Sequence, residues 1–186
     1  ELKNPLTWQT VQNAITQYRK NRDPREPLFK FDRCLAHFAV DPELVYFTTQ
    51  LKGEGTIFLP FNQGNNRCAG NPPSYLVYAT AYLWEQVWAR DSILDLIQNF
   101  IYIVEETNEV PSGNKKKVEK VIFPRYHQLD SVRKLIADAQ NKGPGQRYLI
   151  QHSAGSGKSY SISGLGHQIS NLHDENDQRI FDSIIV

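Results

Sequence analysis

The chain has 186 residues, 40% of them hydrophobic, and a formal net charge of +1 at pH 7. This composition is enough for a buried core and excludes a strong overall attraction to polyanions, so any nucleic-acid contact has to come from local patches. No apolar run approaches the length that crosses a bilayer and no signal peptide is evident, which favours a soluble, cytoplasmic protein without membrane contact. Cys34 and Cys68 lack metal-ligand spacing and are typical of reduced thiols.

The first residues predict the end of a strand followed by a helix. Residues 1–3 are typical of a strand that Pro5 terminates. Thr7 is a candidate N-cap for the helix, which we expect to end before Asp23. The apolar stripe expected to face a core consists of Trp8, Val11, Ala14, Ile15 and Tyr18.

The next segment predicts an antiparallel meander. Turn signals at residues 41–42 and 53–55 separate three short apolar segments. The expected strands are residues 34–40, 44–51 and 56–61.

Residues 78–100 predict two helices, with a cap at residues 91–92 between them. The apolar stripe of the second helix consists of Ile93, Leu94 and Ile97. Trp84 and Trp88 lie one turn apart, and packing is favoured over a stacking platform for bases.

The composition changes abruptly after a strand expected at residues 100–104. Residues 105–117 are polar, include proline, glycine and a lysine run, and predict a solvated linker. Beyond it, residues 118–186 predict the order helix, strand, glycine-rich loop, helix and strand. This alternation is typical of a doubly wound α/β fold with a parallel sheet.

The glycine-rich loop follows the apolar run of residues 148–150 and precedes a helical pattern. Its glycines allow backbone N–H groups to point at phosphate oxygens, Lys158 supplies a positive charge, and Ser159 offers a hydroxyl to Mg²⁺. His152 stands where the general GxxxxGK[ST] pattern has glycine, so the loop resembles the helicase style of that motif. The pattern predicts ATP and Mg²⁺ as cofactors. The candidate phosphate-binding residues are Ala154, Gly155, Ser156, Gly157, Lys158 and Ser159.

Two segments occur in a fixed order in the second half of the chain: residues 123–129, FPRYHQL, and residues 148–159, YLIQHSAGSGKS. Together they resemble the start of the motor in the restriction (R) subunit of type I restriction-modification enzymes. The segments that resemble the family's region between nuclease and motor are residues 1–5, 37–41, 58–62 and 80–85.

The resemblance implies an α/β chain that joins two partial domains. Residues 1–104 would be the remnant of a mixed α/β nuclease domain with a connecting region, residues 105–117 a linker, and residues 118–186 the start of a RecA-like parallel-sheet motor. The family's large cytoplasmic subunit translocates and cleaves double-stranded DNA at the expense of ATP, in a complex with methylation (M) and specificity (S) subunits. The absence of methionine and the apolar end at residues 184–186 favour an internal piece. We expect neither cleavage nor ATP turnover from it alone.

The resemblance also implies site residues. Glu1 and Lys3 would match the E-x-K half of a PD-(D/E)xK nuclease, in which Glu1 holds Mg²⁺ and Lys3 stabilises charge or orients the attacking water. Arg125 and Gln128 resemble the family's adenine-reading element, because a glutamine amide offers a donor and an acceptor to the base edge. The Gln-x-x-x-Tyr helix of many such nucleases is not matched, since Ala14 precedes Tyr18 by four residues, and this favours a packed Tyr18.

Two alternatives remain open from the sequence. One is an ATP-dependent DNA helicase or translocase without nuclease activity, whose first half is a scaffold. The other is a non-catalytic nucleotide-binding module that binds ATP as a structural or regulatory ligand. Acidic residues before Glu1 and motor motifs after Val186 in the encoded protein would distinguish them.

Overall fold

The computed structural model describes residues 1–31, 33–66, 68–109 and 115–186. They form two compact units, Glu1–Arg125 (unit 1) and Tyr126–Val186 (unit 2). The fold is mixed α/β, and its two small sheets are both antiparallel. Within the described ranges, no helix is long and apolar enough to cross a membrane.

A three-stranded antiparallel sheet in unit 1 confirms the predicted meander. Strands β1 (His37–Val40), β2 (Val45–Thr48) and β3 (Leu59–Pro60) pair in chain order. The segment at Leu2 extends this sheet on the other side of β1 through a parallel bridge to Val40. The predicted strand end at residues 1–3 therefore runs beside β1.

Helix α1 (Val11–Lys20) covers one face of this sheet. Its buried residues Val11, Ala14, Ile15 and Tyr18 are those of the predicted stripe. The predicted start is wrong, because Trp8 has a φ of 57° and is 94% exposed, a backbone conformation that cannot continue a right-handed helix. Thr10, not Thr7, is the N-cap, and its backbone N–H donates to Asn13 Oδ1 at 2.8 Å.

An aromatic cluster fills the opposite face of the sheet. Phe38 and Phe47 are paired across β1 and β2, so their rings point away from α1, and both contact Phe61 and Phe123. The ring centroids of Phe47 and Phe123 are 5.3 Å apart. These contacts place Phe123, which precedes the boundary with unit 2, in the core of unit 1.

Two helical segments follow the sheet. A π-helical segment, Leu83–Val87, buries its first and last residues, and α2 (Arg90–Asn99) buries Leu96. The predicted stripe of α2 is wrong: Ile93, Leu94 and Ile97 are 37%, 55% and 51% exposed. The buried positions are Leu96 and Phe100, spaced by one turn, so the core-facing side of α2 is centred on these residues.

The described residues of the predicted linker belong to two paired strands. Strands β4 (Tyr102–Glu109) and β5 (Lys115–Ile122) pair antiparallel, with Tyr102 opposite Ile122. Lys117 contacts Glu105 at 2.8 Å across the two strands. The prediction of an unpaired, solvated linker is therefore wrong for residues 105–109 and 115–117, which are paired in the two strands. Residues 110–114 lie outside the described part of the chain. The boundary between the two units follows Arg125 instead.

Unit 2 consists mainly of two helices. Helix α3 (Tyr126–Lys142) buries Gln128, Leu129, Val132 and Ala139, and α4 (Lys158–Ile169) follows the glycine-rich loop. The strands predicted at residues 148–150 and at the end of the chain are not formed, and Leu149 is 94% exposed. A strand of a parallel sheet requires hydrogen bonds to neighbouring strands, and unit 2, all of which is described, contains no strand to supply them.

Candidate functional site

Glu1 and Lys3 lie beside Val40, the last residue of β1, at the edge of the sheet. Lys3 N donates to the carbonyl oxygen of Val40 at 2.8 Å, and Val40 N donates to that of Glu1 at 2.9 Å. Because side chains alternate along an extended chain, Glu1 and Lys3 share one side and Leu2, which is 74% exposed, takes the other. The two predicted catalytic residues are thus on the same side of their segment.

Both side chains contact α1 or the turn that follows it. Lys3 Nζ donates to Gln17 Oε1 at 2.6 Å, and Glu1 Oε1 accepts from Arg22 Nε at 2.9 Å and from Arg22 Nη2 at 2.5 Å. The hydrogen bond from Arg22 to the Glu1 carboxylate raises the pKa of Arg22. Both arginine bonds end on one carboxylate oxygen, Oε1, and within the part of the chain that the structure describes no hydrogen bond to the second oxygen, Oε2, is seen.

Tyr18 is packed beneath this pair, as predicted. It is 6% exposed, and its hydroxyl donates to the carbonyl oxygen of Phe38 at 3.3 Å. Burial raises the pKa of Tyr18 to about 12, so the phenol is protonated at neutral pH. Gln17 and Arg22 were not identified from the sequence as neighbours of the acidic residue. The signal that could have identified them is their position in the sequence, because Gln17 lies in the helix that follows Lys3 and Arg22 lies just after that helix.

The fit of Mg²⁺ to this site rests on one carboxylate. Among the described residues, no group of three or more His, Cys, Asp and Glu side chains is placed to hold a metal ion. Mg²⁺ commonly takes one or two carboxylates and completes its octahedron with water and substrate phosphate oxygens. The free oxygen of Glu1 fits that mode of binding.

In unit 2, the glycine-rich loop leads into the N-terminus of α4. Gly155 and Gly157 have φ angles of 71° and 80°, a region that glycine adopts without a side-chain penalty. Gly157 is the N-cap of α4, and Lys158 and Ser159 are its first, exposed residues. The first turn of a helix leaves N–H groups without intrahelical partners, which suits an anion.

Two residues of α3 contact backbone carbonyl oxygens of the loop. Gln128, 6% exposed, donates from Nε2 to the carbonyl oxygens of Ser156 at 3.1 Å and Gly157 at 2.9 Å. His127 Nε2 lies 3.0 Å from the carbonyl oxygen of Ser156, and its ring centroid is 4.7 Å from that of His152. The structure therefore brings Gln128 to the phosphate loop, whereas Arg125 ends unit 1. The position of His127 beside the loop was not identified from the sequence.

Lys158 and Ser156 differ in their hydrogen bonding within the loop. Lys158 Nζ donates to the carbonyl oxygens of Ser153 at 3.0 Å and His152 at 3.4 Å, which lie in the same loop. Ser156 is 5% exposed, and its hydroxyl has no hydrogen-bond partner among the described residues. A buried hydroxyl without a partner is costly. The loop thus contains a cation, an unpartnered donor and a helix N-terminus, a donor set that fits phosphate oxygens.

Comparison with known proteins gives one relationship. The chain is similar to the "Putative type I restriction enzyme MjaVIIIP endonuclease subunit" of Methanocaldococcus jannaschii, with 32% identity over 104 residues. The alignment covers 52% of this chain, which spans 9% of that relative's length. No protein-family model matches the chain, and no solved structure matches it significantly. The similarity is a relationship, over about half of this chain, to a restriction endonuclease subunit.

Proposed function

We propose that this chain is part of an ATP-dependent type I restriction endonuclease subunit that translocates and cleaves double-stranded DNA. In this proposal, unit 1 contributes the closing half of the nuclease site and unit 2 begins a RecA-like motor. ATP, Mg²⁺, and the methylation and specificity subunits complete the enzyme. The observation that carries the proposal is the side-by-side placement of Glu1 and Lys3 in a chain whose other unit has a Gly-Lys-Ser loop at a helix N-terminus.

At the nuclease site, the Glu1 oxygen not bonded to Arg22 would hold Mg²⁺, which activates water and neutralises charge on the scissile phosphate when bound. Gln17 positions the Lys3 ammonium beside the segment that holds Glu1. Arg22 orients the carboxylate, because a charge-assisted pair of hydrogen bonds fixes one of its oxygens. Lys3 and Arg22 together leave the three-residue cluster with one excess positive charge, which favours a phosphodiester.

At the motor site, the loop and Lys158 would hold the triphosphate, and Ser159 would supply a hydroxyl to Mg²⁺. A triphosphate would replace the loop's own carbonyl oxygens as the partner of the Lys158 ammonium, now 3.0 Å from that of Ser153. It would also give the Ser156 hydroxyl the partner that it lacks. Gln128 and Arg125 would contact the adenine.

The test is separation of the two activities in the full-length subunit assembled with its methylation and specificity subunits. We expect Glu1→Gln or Lys3→Ala to lower DNA cleavage by at least about 100-fold and to leave ATP hydrolysis unchanged, since each removes a group that acts only at the scissile phosphate. Lys158→Ala is expected to lower both ATP hydrolysis and cleavage by about 100-fold or more, because remote cleavage follows translocation.

Two matched variants control for the change of charge. Glu43→Gln and Lys134→Ala alter exposed side chains away from Glu1, Lys3 and the loop, and both are expected to retain full activity. Normal cleavage by Glu1→Gln would refute the catalytic role of Glu1. An assembled, unaltered enzyme that hydrolyses ATP in a Lys158-dependent manner but does not cleave DNA would replace the proposal with a translocase lacking nuclease activity. ATP binding without hydrolysis in the assembled enzyme would favour a nucleotide-binding module.

A further inference from the structure

The cavity beside Glu1 has an aromatic wall that the proposed nuclease chemistry does not use. Its volume is about 400 Å³, and its lining includes Glu1, Tyr18, His37, Phe38, Trp84 and Trp88. Cavities of this size are typical of sites for small organic ligands. A metal ion and a phosphodiester at Glu1 would leave this aromatic space unfilled.

The π-helical segment holds the two tryptophans at the cavity. Leu83 and Val87 are 0% and 1% exposed and anchor the segment in the core, whereas Trp84 and Trp88 are 41% and 40% exposed. The sequence favoured a packing role for this pair. Trp88 does pack, because its ring lies edge-on to that of Phe38, with the centroids 5.4 Å apart and the planes at 86°. Within the described ranges, Trp84 makes no ring contact. Its indole face is available for stacking.

The polar groups of the cavity are mostly uncharged. Burial lowers the pKa of His37, which is 5% exposed, so the imidazole is neutral and offers one donor and one acceptor. Tyr18 is protonated, and the thiol of Cys34 donates to the carbonyl oxygen of Ala36 at 3.3 Å. The charged group of the lining is the Glu1 carboxylate. Its partner Arg22, and Lys3, which contacts Gln17, lie outside the lining. This arrangement suits a ligand with a flat, neutral ring and polar ring edges. A phosphate attached to that ligand would lie at the edge of the cavity, near Glu1.

We infer that the cavity binds an unpaired nucleobase of a DNA strand, stacked on Trp84 and Trp88, while the adjoining phosphate lies at Glu1 and Lys3. The inference rests on the proposed function, because it makes the base site a neighbour of the cleavage site. Stacking on aromatic side chains favours every base, since each has a π-face, so the site secures an unpaired strand without selecting a sequence.

The experiment measures binding of a short oligothymidylate to the full chain by fluorescence anisotropy. The comparison ligand is a strand of the same length with abasic sugar–phosphate units. We expect the thymidylate strand to bind at least about tenfold more tightly than the abasic strand, and Trp84→Ala to weaken thymidylate binding by about tenfold, the effect of losing one stacked base. Trp84→Phe should restore most of the affinity, because it keeps an aromatic face.

Trp8→Ala is the matched control, since Trp8 is 94% exposed and lies outside the cavity lining, and its affinity should equal that of the unaltered chain. Trp88 also packs on Phe38, so Trp84→Ala, which disturbs no ring contact, decides the outcome. Equal binding of both strands, or an unchanged affinity in Trp84→Ala, overturns the inference.

The same assay separates this inference from the proposed function. Strand binding that depends on Lys3 but not on Trp84 would remove the base site and leave the nuclease proposal standing. Strand binding that depends on Trp84, combined with normal DNA cleavage by Glu1→Gln in the assembled enzyme, would support the base site and refute the assignment of Glu1.

Discussion

Two features disfavour any side chain at position 157: the backbone conformation of Gly157 and the closeness of Gln128. Its φ of 80° penalises any residue with a Cβ, and a Cβ built there would clash with Gln128 Nε2. The Gln128 amide could move away only by giving up its bonds to the Ser156 and Gly157 carbonyl oxygens. We expect Gly157→Ala to lower the free energy of unfolding by about 2–3 kcal/mol, measured by chemical denaturation.

Gly155 supplies the control for this prediction, because its φ is 71° and a Cβ there meets nothing within 4 Å. Gly155→Ala should therefore show the backbone penalty alone, about 1–2 kcal/mol. In a Gln128→Ala background the difference between the two glycine variants should shrink to the effect of the other close neighbour, Tyr160 Cδ2, which would be 3.3 Å from the Cβ. A double-mutant cycle would measure this change, and an undiminished difference would show that Gln128 is not its cause.

At the scale of elements, Asp41 joins α1 to the turn between β1 and β2. Its Oδ2 accepts from Val11 N, the first residue of α1, at 2.7 Å, and its Oδ1 accepts from Leu44 N at 2.7 Å and Glu43 N at 2.9 Å. The residue is 8% exposed. We expect Asp41→Ala to lower the free energy of unfolding by about 3 kcal/mol, since three backbone donors lose their partner and one of them begins a helix.

The matched control is Asp23→Ala. Asp23 also accepts a backbone hydrogen bond, from Arg25 N at 2.9 Å, and pairs with the Arg25 guanidinium, but that arginine side chain is 90% exposed. Solvent screens such a pair, so the loss of stability in Asp23→Ala should be much smaller than in Asp41→Ala. Equal losses in the two variants would contradict the structural role assigned to Asp41.

The elements that were predictable from sequence are those whose pattern and partners are both local. The buried stripe of α1 and the three-stranded meander have short connections and turn signals, so periodicity was sufficient. The start of α1 was not predictable from its apolar spacing, because Trp8 continues the stripe but has a left-handed backbone. The prediction of a strand at residues 148–150 was wrong for a different reason. An apolar segment does not form a strand of a parallel sheet unless other strands lie beside it.

The candidate sites show the same division. The glycine-rich loop was identifiable because its geometry depends on residues adjacent in the chain, and Gly155 and Gly157 have the positive φ angles that the motif requires. The contacts of Arg22 with Glu1, of Gln17 with Lys3 and of His127 with Ser156 join segments 14 to 29 residues apart. Spacing within a motif contains no information on such contacts, because tertiary packing determines them.

At the scale of the whole molecule, the two units differ in how much apolar surface they bury. The buried apolar residues of unit 2, all of which is described, are Leu129, Val132, Ala139 and Leu172, and α4 buries none of its residues. Unit 1 has a continuous core on both faces of its first sheet. Since buried apolar area supplies most of the folding free energy, the units should differ in their resistance to opening.

We therefore expect hydrogen exchange followed by mass spectrometry to show the slowest exchange in α1, β1 and β2 and fast exchange in α4. Saturating ATP with Mg²⁺ should slow exchange in residues 152–169 selectively, because a ligand that binds only the folded loop stabilises it by mass action. Lys158→Ala should abolish this protection and leave α1 unchanged, while Lys134→Ala should preserve it. Protection that spreads equally over unit 1, or that persists in Lys158→Ala, would mean that the nucleotide binds elsewhere than at the N-terminus of α4.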